Sequence, residues 1–286
     1  MTRTLIANLS LLAVLLSCPV SADTIILDFN GSGIGDIRDL AGRPTGFTHR
    51  MPGSGAAIPA NDPNLNVDTA NGHLLMTSTR SDFNITGFGR NLAALDAPSL
   101  KLNGMAGVNF SVQARFLDIH VDQPSDQLGV FVGTSVDKLT RGGVFEWGVE
   151  SGIADGTYTA GINYSENGHD GPPTGGALHT ILTGQDAEFE IRRVNNVWQF
   201  LWRNLSDPSL SGSVDNLLLP SLNAEDSLYL GVFHLDARNT TPQVATLDQF
   251  VIRTGTSIPE PATIAIAGLL FAAVPLRRFA HAVSAV

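Results

Sequence analysis

Short segments with apolar residues at alternate positions recur along most of the chain. In 109–119 the apolar residues fall at every second position from Phe110 to Phe116, as expected of a strand with one buried face. The segments that predict strands are 24–29, 73–78, 109–119, 128–132, 143–150, 157–164, 188–194, 197–203, 227–236 and 245–253. Because no long amphipathic helix separates them, the pattern predicts an all-β antiparallel sandwich or barrel.

One pair of these segments predicts a tight hairpin. Residues 188–194 and 197–203 flank Asn195-Asn196, and asparagine tolerates the positive φ that a two-residue turn requires. Trp198, Phe200 and Trp202 fall on one face of the second strand. We therefore expect this hairpin to contribute a large part of the core.

Two irregular regions separate the predicted strands. Residues 31–71 are rich in Gly, Pro, Asn and Asp and predict a long ordered loop that wraps the sandwich. Residues 165–180 predict a second large loop. Loops longer than about 12 to 15 residues are uncommon unless they are functional or mobile, so this loop is a candidate for contacting a ligand. A variable surface insertion is the alternative interpretation.

The N-terminus has the pattern of an export signal. A weakly basic start is followed by a largely apolar run from Leu5 to Leu16 and then by Val20-Ser21-Ala22, which are small enough for signal peptidase. Cleavage after Ala22 would leave Asp23 as the first residue. In an alternative interpretation, Leu15-Leu16-Ser17-Cys18 is a lipobox and Cys18 is lipidated.

The C-terminus carries a second targeting pattern. Pro259-Glu260-Pro261 is followed by an uncharged run over 262–276 and by Arg277-Arg278. The run is shorter than the roughly 20 apolar residues that span a bilayer as a helix. Arginines stay on the cytoplasmic side of a span, so the bulk of the chain would lie outside the cell.

These C-terminal residues resemble the PEP-CTERM sorting signal of Gram-negative bacteria. The resemblance implies that an exosortase recognises and removes the segment after transient anchoring in the inner membrane. It also implies a destination in the cell envelope or the extracellular matrix of bacteria that make exopolysaccharide. The sequence then divides into a signal peptide at 1–22, a β-domain at 23–256 and a sorting segment at 257–286, with predicted helices in the two terminal segments.

Composition narrows the chemistry of the central domain. The only cysteine, Cys18, lies in the leader, so the mature domain contains no disulfide, cysteine nucleophile or thiolate metal site. The formal net charge is −10, and Lys101 and Lys138 are the only lysines. Because nucleic-acid affinity comes from clustered Lys and Arg, this composition argues against a nucleic-acid partner.

The body of the chain is similar to concanavalin A-like lectin and glucanase jelly rolls. The likeness rests on Asp28-Phe29, the strand 127–134, the hairpin ending in Trp202-Arg203 and the strand 247–252. It implies that the first and last strands pair, which would bring Asp28 close to Asp248. These two are candidate calcium ligands, as are Asn61-Asp62 with Asn64 and Glu166-Asn167 with Asp170, although turn or capping roles are the alternative.

The glucanases of that superfamily use a Glu-x-Asp-x-x-Glu strand, which this chain lacks. Glu146 and Glu150 are four residues apart, about 13 Å along a strand, too far for a catalytic pair. The sequence therefore favours a non-catalytic carbohydrate-binding protein, with a divergent glycoside hydrolase or lyase and a purely structural matrix protein as alternatives. The candidate ligand contacts are Phe131, Glu146, Tyr164, Glu166, His169 and Asp170.

Overall fold

Sixteen strands dominate the part of the chain whose placement is defined. The computed structural model describes residues 23–30, 35–51, 61–79, 97–120, 126–135, 138–145, 157–166, 169–170, 181–236 and 242–255. The strands are β1 (Asp23–Leu27), β2 (His49–Arg50), β3 (Leu65–Asp68), β4 (His73–Thr77), β5 (Pro98–Asn103), β6 (Phe110–Ile119), β7 (Asp126–Ser135), β8 (Lys138–Phe145), β9 (Thr157–Glu166), β10 (His169–Asp170), β11 (Ile181–Leu182), β12 (Gln185–Val194), β13 (Val197–Asn204), β14 (Gly212–Leu217), β15 (Ser227–Asp236) and β16 (Val244–Thr254).

These strands form two antiparallel sheets. The first sheet has the order β14-β13-β12-β6-β16-β4-β3, and β1 pairs with β16 beside it. The second has the order β10-β9-β8-β7-β15-β5-β2, and β11 pairs with β9. Residues Ser21–Gly255 form one compact unit. The described residues therefore confirm the predicted all-β antiparallel class.

The core lies between the two sheets. Alternation along β6 points Phe110, Val112, Ala114 and Phe116 inward, where each is fully buried. The second sheet contributes the fully buried Leu128, Val130, Val132, Leu228, Leu230 and Val232 to the same cluster. This shared apolar layer is what makes the fold a β-sandwich.

The predicted hairpin is confirmed. Asn195 and Asn196 have φ of 52° and 64°, and Val194 pairs with Val197 across this two-residue turn. Trp198 is fully buried, and its ring meets Phe110 edge-on with 5.5 Å between centroids. The indole Nε1 donates to Asn223 Oδ1 at 2.8 Å, which satisfies its polar atom. Asn223 ends the short helix Pro220–Asn223 and also donates to the Asn196 carbonyl, so the helix holds the turn.

A buried cation lies at the same end of the sandwich. Arg193 is fully buried and donates to the carbonyl oxygens of Val108, Leu222 and Met105. Its guanidinium carbon lies 4.8 Å from the centroid of the Phe110 ring. Burial lowers the pKa of Arg193 to about 10. The side chain thus joins the turn that holds Met105 and Val108 to the short helix that holds Leu222.

The interpretation of 31–71 as a loop needs correction. This region contains β2 and β3, and Arg38 forms an isolated bridge with Pro44. Asp39 organises it, because its buried carboxylate accepts hydrogen bonds from the backbone amides of Arg43 at 2.7 Å and Val67 at 2.9 Å. Side-chain hydrogen bonds of this type order the backbone locally. Because they do not require alternating apolar residues, the sequence pattern did not predict the strands in this region.

The first and last strands of the domain pair as predicted. Asp23 is aligned with Thr254 and Leu27 with Phe250 in an antiparallel ladder. No helix among the described residues is long and apolar enough to cross a membrane. The leader up to Ala22 and the sorting residues Pro259, Glu260, Pro261, Arg277 and Arg278 lie outside the described residues, and so do the predicted terminal helices.

Candidate functional site

The outward side of the first sheet carries most of its charged residues. On β12, Phe189 and Ile191 point into the core, so alternation turns Glu188, Glu190 and Arg192 outward. Cross-strand register places further polar residues of β6, β13, β14 and β16 on the same side. We call this side the charged face, formed by Ser111, Gln113, Arg115, Glu188, Glu190, Arg192, Gln199, Arg203, Asp215, Gln249 and Arg253.

Two carboxylates share one guanidinium near the middle of the charged face. Arg203 lies directly opposite Glu188, and its Nη1 forms an ion pair with Glu188 Oε1. Its Nη2 lies 3.9 Å from Glu190 Oε2. The Arg203 side chain is 55% exposed, whereas those of Glu188 and Glu190 are 6% and 10% exposed. The exposed cation therefore covers two nearly buried acids.

Amide side chains connect the other charges of this face. Arg192 Nε donates to Gln199 Oε1 at 2.7 Å, and Gln199 Nε2 donates to Asp215 Oδ1 at 3.0 Å. On the other side of β12, Arg253 Nη1 donates to Gln113 Oε1 at 2.7 Å. Each side chain is thus fixed by a neighbour on another strand. Such mutual bonds hold polar groups in place before any ligand arrives.

Asp248 lies at an irregularity in β16 and faces two basic groups. The register between β6 and β16 shifts between Leu247 and Gln249. The carboxylate accepts from Arg115 Nη1 at 3.2 Å, and its other oxygen lies 3.4 Å from His73 Nε2. Extra residues in a strand commonly re-aim a side chain in this way.

The predicted calcium pair has separate partners. Asp28 follows β1 and accepts a hydrogen bond from Asn30 Nδ2 at 2.8 Å, while Asp248 binds Arg115. Asp62, another candidate, pairs with the buried Arg50. Across the described ranges, no group of three or more His, Cys, Asp or Glu residues is arranged to hold a metal ion. These carboxylates thus have structural partners of their own.

Phe131 is not the exposed contact that the sequence suggested. It does point away from Val130 and Val132, but its side chain is fully buried. On the outward side of the second sheet it belongs to a separate apolar cluster with Met51, Ala97, Phe233 and Leu235. Strand alternation identified the direction of the side chain. It gave no information on this second cluster.

The other predicted ligand contacts lie at one edge of the second sheet. In the backbone register Glu166 pairs with His169 and Asp170 with Ser165, so these residues form the β9–β10 hairpin instead of an open loop. Tyr164 pairs with Thr140 of β8. Glu146, with residues 171–180 of the predicted loop, lies outside the described residues.

A pocket opens between the two sheets near their edge strands β3 and β2. Its volume is about 30 Å³, and Arg50, Asp62 and His234 are among its lining residues. Arg50 forms its ion pair with Asp62, and His234 Nδ1 lies 2.9 Å from the Met76 carbonyl oxygen. These polar side chains are engaged in holding the two sheet edges. On the charged face Ser111, Gln113, Glu188, Glu190 and Arg192 are also buried. The charged face is the stronger candidate because the 55% exposed Arg203 gives its acids a group that a ligand can reach.

Sequence reasoning did not single out the charged face. The signal was present, because the hairpin 188–203 alternates apolar residues with Glu188, Glu190 and Arg192. Each charge taken alone is typical of a solvated strand. Only the strand order, which places β6 beside β12 and β16 beside β6, brings the polar residues of distant segments together.

Comparison with known proteins gives structural neighbours only. No family model and no curated protein matches the chain. The CBM2 module of the evolved Dit protein of Lactobacillus casei BL23 phage J-1 has a TM-score of 0.52 at 10% identity, over 84% of this chain and 100% of that module. The GH43 protein BlXynB of Bacillus licheniformis has a TM-score of 0.50 at 10% identity, over 66% of this chain. The match spans only 34% of that GH43 protein. At such identities the likeness is one of fold.

Proposed function

We propose that this chain is an exported β-sandwich protein that binds carbohydrate through its charged face without cleaving it. The observation that carries the proposal is the group formed by Glu188, Glu190 and Arg203, in which one exposed guanidinium covers two acids. Carboxylates and guanidinium groups offer paired acceptors and donors for the hydroxyl groups of a sugar.

Pre-positioning of these side chains supports binding. Gln199 and Gln113 hold Arg192 and Arg253 through hydrogen bonds. Because these side chains are already ordered, binding a ligand would cost little side-chain conformational entropy. The residues that define this face include no aromatic ring, and Trp198 and Trp202 are buried in the core. Polar contacts, rather than stacking, would therefore provide the recognition.

The fold comparison is consistent with this proposal. The phage neighbour is a CBM2 module, a carbohydrate-binding module by name. The match covers the whole of that module and 84% of this chain. The GH43 match is confined to about a third of that protein, so its activity is not carried over. We also propose that the fold is a concanavalin A-like jelly roll, because the first and last strands pair.

The destination is proposed from the chain termini. Signal peptidase would cleave after Ala22, and an exosortase would act at Pro259-Glu260-Pro261 after transient anchoring in the inner membrane. The product would reside in the cell envelope or the extracellular matrix. Nucleic acid is not a proposed partner, because the chain has a net charge of −10.

A glycan panel tests the binding proposal. The purified protein is applied to a glycan array and to a set of polysaccharides, and both retention and release of reducing ends are scored. Retention without release is the expected result, and Arg203→Gln should lower it about tenfold by removing the guanidinium that joins both acids. Lys101→Gln, on the other sheet, is the control for loss of one positive charge. If no glycan retains the protein, the binding proposal is contradicted and a structural role in the matrix is favoured.

The spacing of Glu188 and Glu190 supports a second candidate, glycoside hydrolysis. Two residues along a strand correspond to about 6.6 Å, within the range of separations seen between catalytic carboxylates. Both acids, however, contact Arg203. Release of reducing ends that is abolished by Glu188→Gln and by Glu190→Gln would establish catalysis and overturn the non-catalytic proposal.

Fractionation tests the sorting proposal. In a host that contains an exosortase, the native chain should lose its C-terminal segment and reach the extracellular fraction. Replacing Glu260 by Ala should leave the uncut chain in the inner membrane. An equal distribution of the two proteins would contradict the proposed role of this motif.

A further inference from the structure

Among the described strands, β1, β3 and β14 lie at edges of the first sheet, and two of these edges are protected. A loop covers β3, because Leu40 N donates to the Leu65 carbonyl at 3.0 Å and Val67 N donates to Asp39 Oδ2 at 2.9 Å. The edge at β14 is irregular, since its register with β13 shifts and Asn216 has a φ of 62°. Covering and irregularity are common means of keeping a sheet edge from pairing with another chain.

The strand β1 has neither protection. Among the described strands it pairs with β16 alone, in a register that runs from Asp23 to Leu27 without a shift. Its first four residues are exposed, and it contains no Lys or Pro. Ile25 and Ile26 are 36% and 55% exposed. The strand thus presents a regular and apolar edge, which favours the addition of another strand.

Ile25 lies on the side of the sheet that carries the core. It is aligned with Ile252, which is fully buried, and aligned residues of neighbouring strands point to the same side. The apolar side of the sheet therefore continues onto β1, although more than a third of Ile25 remains uncovered. A strand added beside β1 would give Ile25 a second cross-strand neighbour.

We propose that β1 pairs antiparallel with β1 of a second copy of this chain. The register that uses all five residues of both strands is centred on Ile25. Ile25 then faces its own counterpart, Thr24 faces Ile26, and Asp23 faces Leu27. Each isoleucine therefore meets an uncharged residue, and no two like charges lie opposite each other.

The charges at the ends of β1 also favour a second copy as the partner. The proposed cleavage after Ala22 would leave a positively charged α-amino group on Asp23. In the paired strands this group lies next to the exposed Asp28 of the second copy, one residue beyond Leu27. Because the interface has two-fold symmetry, the same attraction occurs at both of its ends.

The pairing would place two charged faces on one surface. The two-fold axis of an antiparallel strand pair is perpendicular to the sheet, so the outward sides of both copies face the same way. Two linked binding faces hold a repetitive polysaccharide with higher avidity than one. This consequence rests on the proposed carbohydrate binding, whereas the pairing of β1 does not.

Single cysteines test the pairing directly, because the exported chain that begins at Asp23 contains no other thiol. Facing residues of antiparallel strands have Cα atoms about 4.5 to 5.5 Å apart, within the range that a disulfide spans. Under mild oxidation Ile25→Cys should form a disulfide-linked dimer, whereas Ser213→Cys, at an exposed position of β14, should stay monomeric. A mixture of Thr24→Cys and Ile26→Cys should form mixed dimers faster than either variant dimerises alone. Equal cross-linking of Ile25→Cys and Ser213→Cys would overturn the proposal.

Analytical ultracentrifugation measures the pairing without a cross-link. An interface of one strand pair is small and therefore weak, so the dimer fraction should rise over a roughly thousandfold range of protein concentration. Ile25→Lys places two like charges opposite each other and should weaken association about fivefold or more, while Ile25→Val should retain it. Circular dichroism checks that both variants are folded.

A native chain that stays monomeric at every concentration would overturn the proposal, and so would equal association of Ile25→Lys and Ile25→Val. Neither experiment contains a glycan. Failure of glycan binding would therefore leave the dimer intact, and failure of the dimer would leave glycan binding intact.

Discussion

Arg193 illustrates how a single side chain can close one end of a sandwich. Its guanidinium donates to the carbonyl groups of Met105 and Val108 in one turn and to that of Leu222, more than a hundred residues later in the chain. Retaining a cation in a buried place requires such a set of acceptors, because desolvation alone lowers its pKa.

Replacement of Arg193 should therefore be strongly destabilising. We expect Arg193→Met to lower the free energy of unfolding by about 3 kcal/mol, since the carbonyl groups of Met105, Val108 and Leu222 lose a charged side-chain donor. Urea unfolding measures the effect. The exposed Lys101→Met should change stability by less than about 0.5 kcal/mol. Equal effects of the two substitutions would contradict the role of Arg193 in joining the three carbonyl groups.

Asp39 makes stability depend on pH. Burial acts to raise the pKa of this carboxyl, but hydrogen bonds from Val67 and Arg43 and the Arg43 guanidinium outweigh it and hold the pKa below 3.8. A lowered pKa in the folded state means that the stabilisation is present above about pH 4 and is lost as the pH falls below that value.

Asp39→Asn tests this dependence. The variant should be less stable than the native chain by about 2 kcal/mol at pH 7, and the difference should narrow towards pH 2. Urea unfolding across this pH range provides the measurement. A difference that stayed constant with pH would show that Asp39 does not act through its charge.

At the scale of elements, the β12–β13 turn is the most sharply defined feature. Both Asn195 and Asn196 adopt positive φ. Asn196→Gly should keep or slightly raise the thermal midpoint because glycine adopts this conformation freely, whereas Asn196→Val should lower the free energy of unfolding by about 1 to 2 kcal/mol. Thermal unfolding distinguishes the two, and equal midpoints would show that positive φ at this position does not limit stability.

The same hairpin shows what the sequence can predict. Alternation and turn chemistry indicated β6, β12, β13, β15 and β16, because each is long enough to display a period. The two-residue β2 and the glycine-initiated β14 display none. The charged face could not be predicted from the sequence for another reason. Its composition depends on which strands are neighbours in the sheet, and a local sequence pattern does not determine strand order.

At the scale of the whole molecule, β1 pairs with the second half of β16, beyond the part of β16 that pairs with β4. Deleting Asp23–Leu27 should lower the free energy of unfolding by several kcal/mol, because each hydrogen bond of the ladder contributes about 1 kcal/mol net. Ile26→Thr, on the same strand and at a 55% exposed position, serves as the control and should have little effect. Comparable stability of the deletion variant and the native chain would contradict this contribution.

The alignment of Asp23 with Thr254 also constrains how the domain is displayed. The first and last residues of this ladder are neighbours, roughly 5 Å apart across two strands. A tether attached at either end would thus hold the sandwich at the same corner.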